Sequence, residues 1–183
     1  TSRGLGDVYK RQEKESEVVI IDIDEQSLGK FGQFPWNRTV FAKILDQLNT
    51  SNPKAIGFDI FFTEKDKQSP EEIIKSYNLI PSDITELQKL KGPDDLFAEK
   101  LKESKSVIAV LGSNVPSHSN YDRKAKARFL SKGGEPKQFT YSYPFSIGSL
   151  EKLEKNVQGL GSISFLDQLD GIIRSLPLIV QFN

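Results

Sequence analysis

Residues 18–38 read VVIIDIDEQSLGKFGQFPWNR, and the fold turns on how the first seven of them are taken. Val18 to Asp24 are β-branched and apolar apart from two aspartates, Asp22 and Asp24, and the run is too short for a buried helix, so the pattern predicts a short buried strand. A turn of helix follows over about Glu25 to Phe31, before the break at Gly32 to Pro35. From Arg38 to Leu48, Val40, Phe41, Ile44, Leu45 and Leu48 recur at helical spacing, and Asn52-Pro53 closes that helix. AIGFDIFF, residues 55–62, then reads as a second buried strand. Strand, helix and strand with short connections make a βαβ unit, with parallel strands and a right-handed crossover.

Downstream, residues 64–92 are polar, with two weak helical patterns. PDDLFAEKLKES from Pro93 opens on proline and two acids and sets Leu96, Phe97 and Leu101 on one face, which predicts a helix. SVIAVLG, ending at Gly112, is a third buried strand. Residues 113–137 lose periodicity, and NYDRKAKARFLSKGGEPK within them is basic and rich in breakers, so it reads as a long mobile excursion. GLGSISFLDQLDGIIRSLPLIVQF predicts two strands around a turn near Asp170-Gly171, and its two leading glycines suggest close backbone packing or a bulge. The expected class is α/β: one domain with a mixed sheet, a βαβ start, a C-terminal strand pair and flanking helices.

Composition narrows the function. The 183-residue chain carries 25 basic and 25 acidic residues, so no net field draws it to nucleic acid. It has no cysteine, which removes thiol chemistry, disulfides and cysteine-bound zinc, and a single histidine, His118, which rules out a multi-histidine metal site. No cofactor loop of standard glycine spacing is present. DVYKRQ near the start resembles the translation of a sequencing-library transposon end. Residues 1–16 are accordingly expected to be non-native or without order, and the domain proper to run over 17–183.

Charged residues on the predicted strands are the candidate site. Side chains alternate along a strand, so Asp22 and Asp24 share a face, and Asp59 shares one with Gly57, which leaves space beside it. Asp24 and Asp59 then fall near carboxyl ends of parallel strands, where open α/β sheets place ligand sites. Arg174 alternates with Ile172 and Leu176 and needs a carboxylate partner, and Arg38 is a second cation at the helix start. Asp24, Arg38, Asp59, Asp170 and Arg174 form either a structural ion-pair cluster or a ligand pocket. Catalysis is the third reading. An apolar strand ending in D-x-D resembles the first motif of haloacid-dehalogenase-like phosphatases, which implies Asp22 as nucleophile, Asp24 in proton transfer and Mg²⁺. The rest of that family's residue set is missing. Phe31, Phe34 and Trp36 are expected to cap the core.

Taken in order, I-D-x-x-S-L followed by P-W-x-R, then GFDIFF, DDLFAEKL before SVIAVLGSN, and the closing D-G-x-x-R-x-x-P-L resemble the second-type CHASE (CHASE2) domain. The matching residues include Asp24, Ser27, Pro35, Trp36, Arg38, Asp59, Asp170, Gly171, Arg174 and Pro177. The resemblance implies a non-catalytic extracytoplasmic sensor in a bacterial membrane receptor. It also implies membrane helices elsewhere in the full protein, a cytoplasmic cyclase or kinase output, and a small ligand or envelope signal as partner. A homodimer is a reasonable expectation for such a receptor. No cofactor, metal or nucleic acid is expected, and a cell-envelope interaction domain is the other non-enzymatic alternative.

Overall fold

A computed structural model describes residues 17–116, 121–127, 132–134, 138–164 and 175–182. By its contacts the chain divides into two units, Thr1–Trp36 and Asn37–Asn183.

In the first unit the expected opening strand is absent. Residues 17–24 form no strand, and Val18, Val19, Ile20 and Ile21 are 62–87% exposed. The physical reason lies one residue further on. Asp24 does not end a strand; it caps helix α1 (Glu25–Phe31), its carboxylate accepting from the Ser27 backbone N–H at 2.8 Å and from the Ser27 hydroxyl at 2.6 Å. Gly32 closes the same helix with φ of 86°, a conformation open to glycine, while its N–H donates to the Leu28 carbonyl. Trp36 is buried, packs 5.2 Å from the Phe31 ring and 6.4 Å from Phe34, and donates its indole N–H to the Gly32 carbonyl.

The second unit is mixed α/β. Its elements are α2 (Arg38–Asn49), β1 (Ile56–Phe58), α3 (Pro70–Ser76), α4 (Pro81–Gln88), α5 (Pro93–Glu103), β2 (Ser106–Ser113), β3 (Tyr141–Tyr143), β4 (Phe145–Ile147), α6 (Glu151–Asn156), β5 (Gly159–Ser162) and β6 (Val180–Phe182). Strand β2 organises the sheet. It pairs in parallel with β1 (Gly57 opposite Val107) and with β5 (Ala109 opposite Gly161), and antiparallel with β4 (Gly112 opposite Ser146). The parallel crossover therefore runs from β1 through α3, α4 and α5 to β2, not from residues 18–24 through α2. Both C-terminal strands form, but they do not pair with each other: β5 joins β2, and β6 lies parallel to β3 in a separate two-stranded ribbon. The turn expected at Asp170-Gly171 falls outside the described residues.

The predicted helices form where their apolar spacing places them. Helix α2 buries Phe41, Ala42 and Leu45; α5 starts on Pro93 and buries Phe97, Ala98 and Leu101, leaving Leu96 at the surface. Phe41, Phe62 and Phe97 meet mainly edge-to-face, with centroids 5.0–5.9 Å apart, and Phe58 joins them from β1 at 5.9 Å from Phe97. Burying each such ring is worth about 2–3 kcal/mol. Gly159 and Gly161 lie directly on Val107, where a Cβ would come within 3.1 and 3.3 Å of its methyls, so the glycine pair does serve close packing.

Candidate functional site

Arg38 is the first residue of α2, and everything around it is built to hold one buried cation. Its side chain is 9% exposed. The guanidinium lies 4.6 Å over the Phe62 ring, Nη2 donates to the Glu64 carbonyl at 3.0 Å, and Nε stands 3.4 Å from Asp94 Oδ1. That last geometry is an ion pair without a hydrogen bond, since Arg38 Nε and Asp94 Oδ1 make none. The other Asp94 oxygen accepts the Asp66 N–H at 3.0 Å, and Asp66 in turn accepts the Arg38 backbone N–H at 2.6 Å. Asn37 completes the corner: its carbonyl caps α2 through the Thr39 N–H, while its amide donates to Asp66 and Gln68.

Two buried carboxylates thus hold Arg38, Asp94 beside its guanidinium and Asp66 on its backbone N–H. Burial pushes the Asp94 carboxyl above the ordinary carboxylate range, against the opposing pull of the Asp66 N–H and Arg38. Burial likewise lowers Arg38, which the two aspartates partly offset. Beside this corner a cleft of about 210 Å³ is lined by Asp94, Asp95, Lys65, Ser69, Glu151 and Lys152 among others. Across it Lys152 pairs with Asp95 at 2.5 Å, joining α6 to α5.

Of the other expected site residues, Asp59 lies just beyond the carboxyl end of β1, exposed, beside a shallow hollow of about 280 Å³ over Gly57, Val107, Ala109, Gly161 and Ile163. Space around Gly57 is open, as its lack of a side chain suggested. No hydrogen bond or ion pair joins Asp59 to Arg38 among the described residues. Asp24 is an exposed helix cap, and its two bonds from Ser27 hold its carboxyl below the usual range, the hydroxyl contributing most. Asp22 is exposed. Asp170, Arg174 and His118 lie outside the described residues.

Two acids that the sequence does not single out, Asp66 and Asp94, are the partners Arg38 takes. Asp94 was visible as a first-turn acid of α5, but only tertiary packing buries it. A second buried polar centre was missed altogether. Glu154 on α6 and Arg123 from the basic stretch have side chains 1% and 3% exposed, with Nε 3.0–3.1 Å from both carboxylate oxygens. Arg123 Nη1 donates to the Ser146 hydroxyl at 2.8 Å, and the Tyr121 hydroxyl donates to Glu154. Burial first, and Glu154 second, push the Tyr121 phenol well above its usual value. Lys126 donates to the carbonyls of Lys155 and Val157. Tyr121, Arg123 and Lys126 of the basic stretch are therefore tied to α6 and its C-terminal end.

Chemically these are caps, ion pairs and clefts. Among the described residues no cluster of three or more His, Cys, Asp or Glu side chains suits a metal ion, and no helix is long and apolar enough to cross a membrane. Residues 3–183 match the family model of the CHASE2 domain. No curated protein and no solved structure gives a significant match.

Proposed function

Because the chain belongs to the CHASE2 family, whose members are sensory extracellular domains, we propose that it is the extracytoplasmic signal-detecting part of a bacterial membrane receptor, without turnover of its own. The family match along the whole chain carries this reading. The buried ion pairs and the cleft agree with it, since they hold charge and leave room for a small ligand. In this reading a cytoplasmic cyclase or kinase domain lies elsewhere in the full protein and receives the signal.

Signalling requires a ligand that favours one arrangement over another. The proposed detecting residues are Asp24, Arg38, Asp59, Asp170 and Arg174, with Asp66 and Asp94 as the buried partners of Arg38. A small charged ligand that exchanges with the Arg38–Asp94 contact or the Lys152–Asp95 bridge would shift α2 or α6 against α5, since those contacts join the helices. The test is a thermal-shift screen of the purified chain against small charged metabolites. A true ligand at a hundred times its Kd stabilises by about 2.7 kcal/mol, which is roughly 5–10 °C in Tm for a chain of this size. That shift should vanish in Asp59→Ala or Arg38→Met variants that still fold. Mg²⁺-dependent release of phosphate from generic esters, lost in Asp22→Asn, would overturn the reading in favour of a phosphohydrolase.

A further inference from the structure

The cleft beside the Arg38 corner gathers charge of both signs from separate elements. Asp94 and Asp95 come from the first turn of α5, Lys152 from α6, Glu71 from α3 and Lys65 from the segment before it. Its volume of about 210 Å³ lies below the roughly 300–1,000 Å³ of sites for drug-sized molecules, so its occupant is small. The floor is buried. The Asp94 side chain is 8% exposed, and its Oδ1 accepts no hydrogen bond. Ser69, also buried, takes the Glu72 N–H on its oxygen, and its own proton has no acceptor among the described residues. Gly92 keeps the floor open, because a Cβ there would stand 3.3 Å from Pro70 and 3.4 Å from Asp95 Oδ2. On the rim Lys65 and Glu71 are exposed and enter no ion pair among the described residues. The acids do not form a group that could hold a metal ion.

We infer that this cleft binds a free amino acid, its ammonium held by Asp95 and Glu71 and its carboxylate by Lys152 and Lys65. The inference rests on the sensory reading and gives that reading a ligand class. Its deciding feature is the Lys152–Asp95 bridge, which spans the cleft at 2.5 Å and joins α6 to α5. A charged ligand seated between these helices must exchange with it. A simple anion would pair with Lys152 and leave Asp95 alone, and a simple cation would do the reverse. A molecule carrying both charges replaces the two partners one for one, so no charge is left over. Lys65 and Glu71 repeat the same pairing at the rim, already open. The exchange is also easy, because the bridging side chains are 51% and 42% exposed and such surface pairs contribute little. The Arg38–Asp94 pair is buried on both sides, and opening it would strand a charge in the interior. Of the two contacts, then, the bridge is the one that yields. Below it the Asp94 carboxylate has an acceptor to spare for the ammonium and the Ser69 hydroxyl a donor for the carboxylate, while Leu150 supplies an apolar wall.

Isothermal titration of the 183-residue chain with the standard α-amino acids tests it. Each is run beside the matching amine that lacks the carboxylate and the matching acid that lacks the ammonium. At least one amino acid should bind, with both of its halves about 10–100-fold weaker, the loss expected when a charged hydrogen bond is removed. Asp95→Asn should erase most of the amino acid's advantage over its acid half, and Lys152→Gln most of its advantage over the amine half. A merely structural bridge would move neither ratio. Gly92→Ala, which narrows the floor without changing charge, should weaken the whole amino acid. Urea midpoints of the Asp95 and Lys152 variants should stay near wild type, since both side chains are well exposed. Binding of no amino acid overturns the inference, as do halves that bind as tightly as the whole, or binding that all three variants leave intact. A thermal shift from another charged metabolite, with no amino acid bound, would remove this inference and leave the sensory reading standing. Failure of both screens would remove the two together.

Discussion

Replacing Arg38 by methionine removes the buried cation from a corner holding two buried carboxylates, and the structure sets the size of the effect. Asp94 and Asp66 are each 6% exposed. Without the guanidinium they face each other across the Asp66 N–H···Asp94 bond, and the Glu64 carbonyl loses its donor. Breaking a buried pair from one side costs about 3–5 kcal/mol; methionine fills some of the vacated space against Phe62, so the lower half of that range is expected at pH 7. Asp94 fixes the pH dependence. Its carboxyl is already raised by burial, and Arg38 is one of the groups holding it down, so removing Arg38 raises it further. A carboxyl raised in the fold has its stabilising contribution below its unfolded pKa and loses it as pH climbs through the folded value. The variant should therefore recover part of its deficit relative to wild type on going from pH 7 to about pH 5. Urea unfolding of wild type, Arg38→Met, Asp94→Asn and the double variant closes a cycle, with a coupling of about 1–3 kcal/mol expected. A deficit under about 1 kcal/mol that does not change with pH, with coupling near zero, would refute the claim that the corner is a strongly coupled ion cluster.

Other outcomes follow from neighbouring geometry. Glu154→Gln should lower stability by about 2–4 kcal/mol in urea unfolding, because Arg123 keeps its burial but loses its counter-charge. The same change should speed tryptic cleavage at Lys124 and Lys126. Gly148→Ala places a Cβ against the Glu154 carboxylate and 2.9 Å from Arg123 Nε; a loss of about 1–3 kcal/mol is expected from the same assay, and an unchanged midpoint would show that the pair has room to move. Asp24→Ala removes the α1 cap, worth about 1 kcal/mol, and should appear as faster amide exchange at Ser27 and Leu28 with the unfolding midpoint of the second unit unchanged.

What could be read beforehand was whatever depends on near neighbours in the chain. Phe41 and Leu45 recur at helical spacing, Pro93 with Asp94 and Asp95 marks a helix start, and the uninterrupted apolar run of β2 marks a buried strand. Pairing depends on distant residues and was not legible. Val18 to Ile21 have the composition of a buried strand, yet nothing in them names a neighbour, and the local bond from Ser27 to Asp24 decided what that aspartate does. The strands of the last segment looked like a pair because they are adjacent in sequence; β5 found β2 and β6 found β3. The same limit applies to charge. Arg38 was legible as a cation needing a carboxylate, but its partner is reached through α5, and Arg123 looked like one more cation in a basic run until α6 supplied Glu154.

The central place of β2 has a consequence for how the protein is made. As the chain emerges amino terminus first, across the membrane during synthesis in the receptor reading, β2 can pair with β1, already present, but its other parallel neighbour β5 does not yet exist. Residues 114–158 must be added first, which takes a few seconds at about 5–20 residues per second. For that interval Ser106 to Val110, apolar after the first serine, present an unfilled hydrogen-bonding edge to the surroundings, the kind of edge on which nascent chains cross-pair. Slow translation just after β2 should therefore lower the yield of native protein more than slow translation after β5.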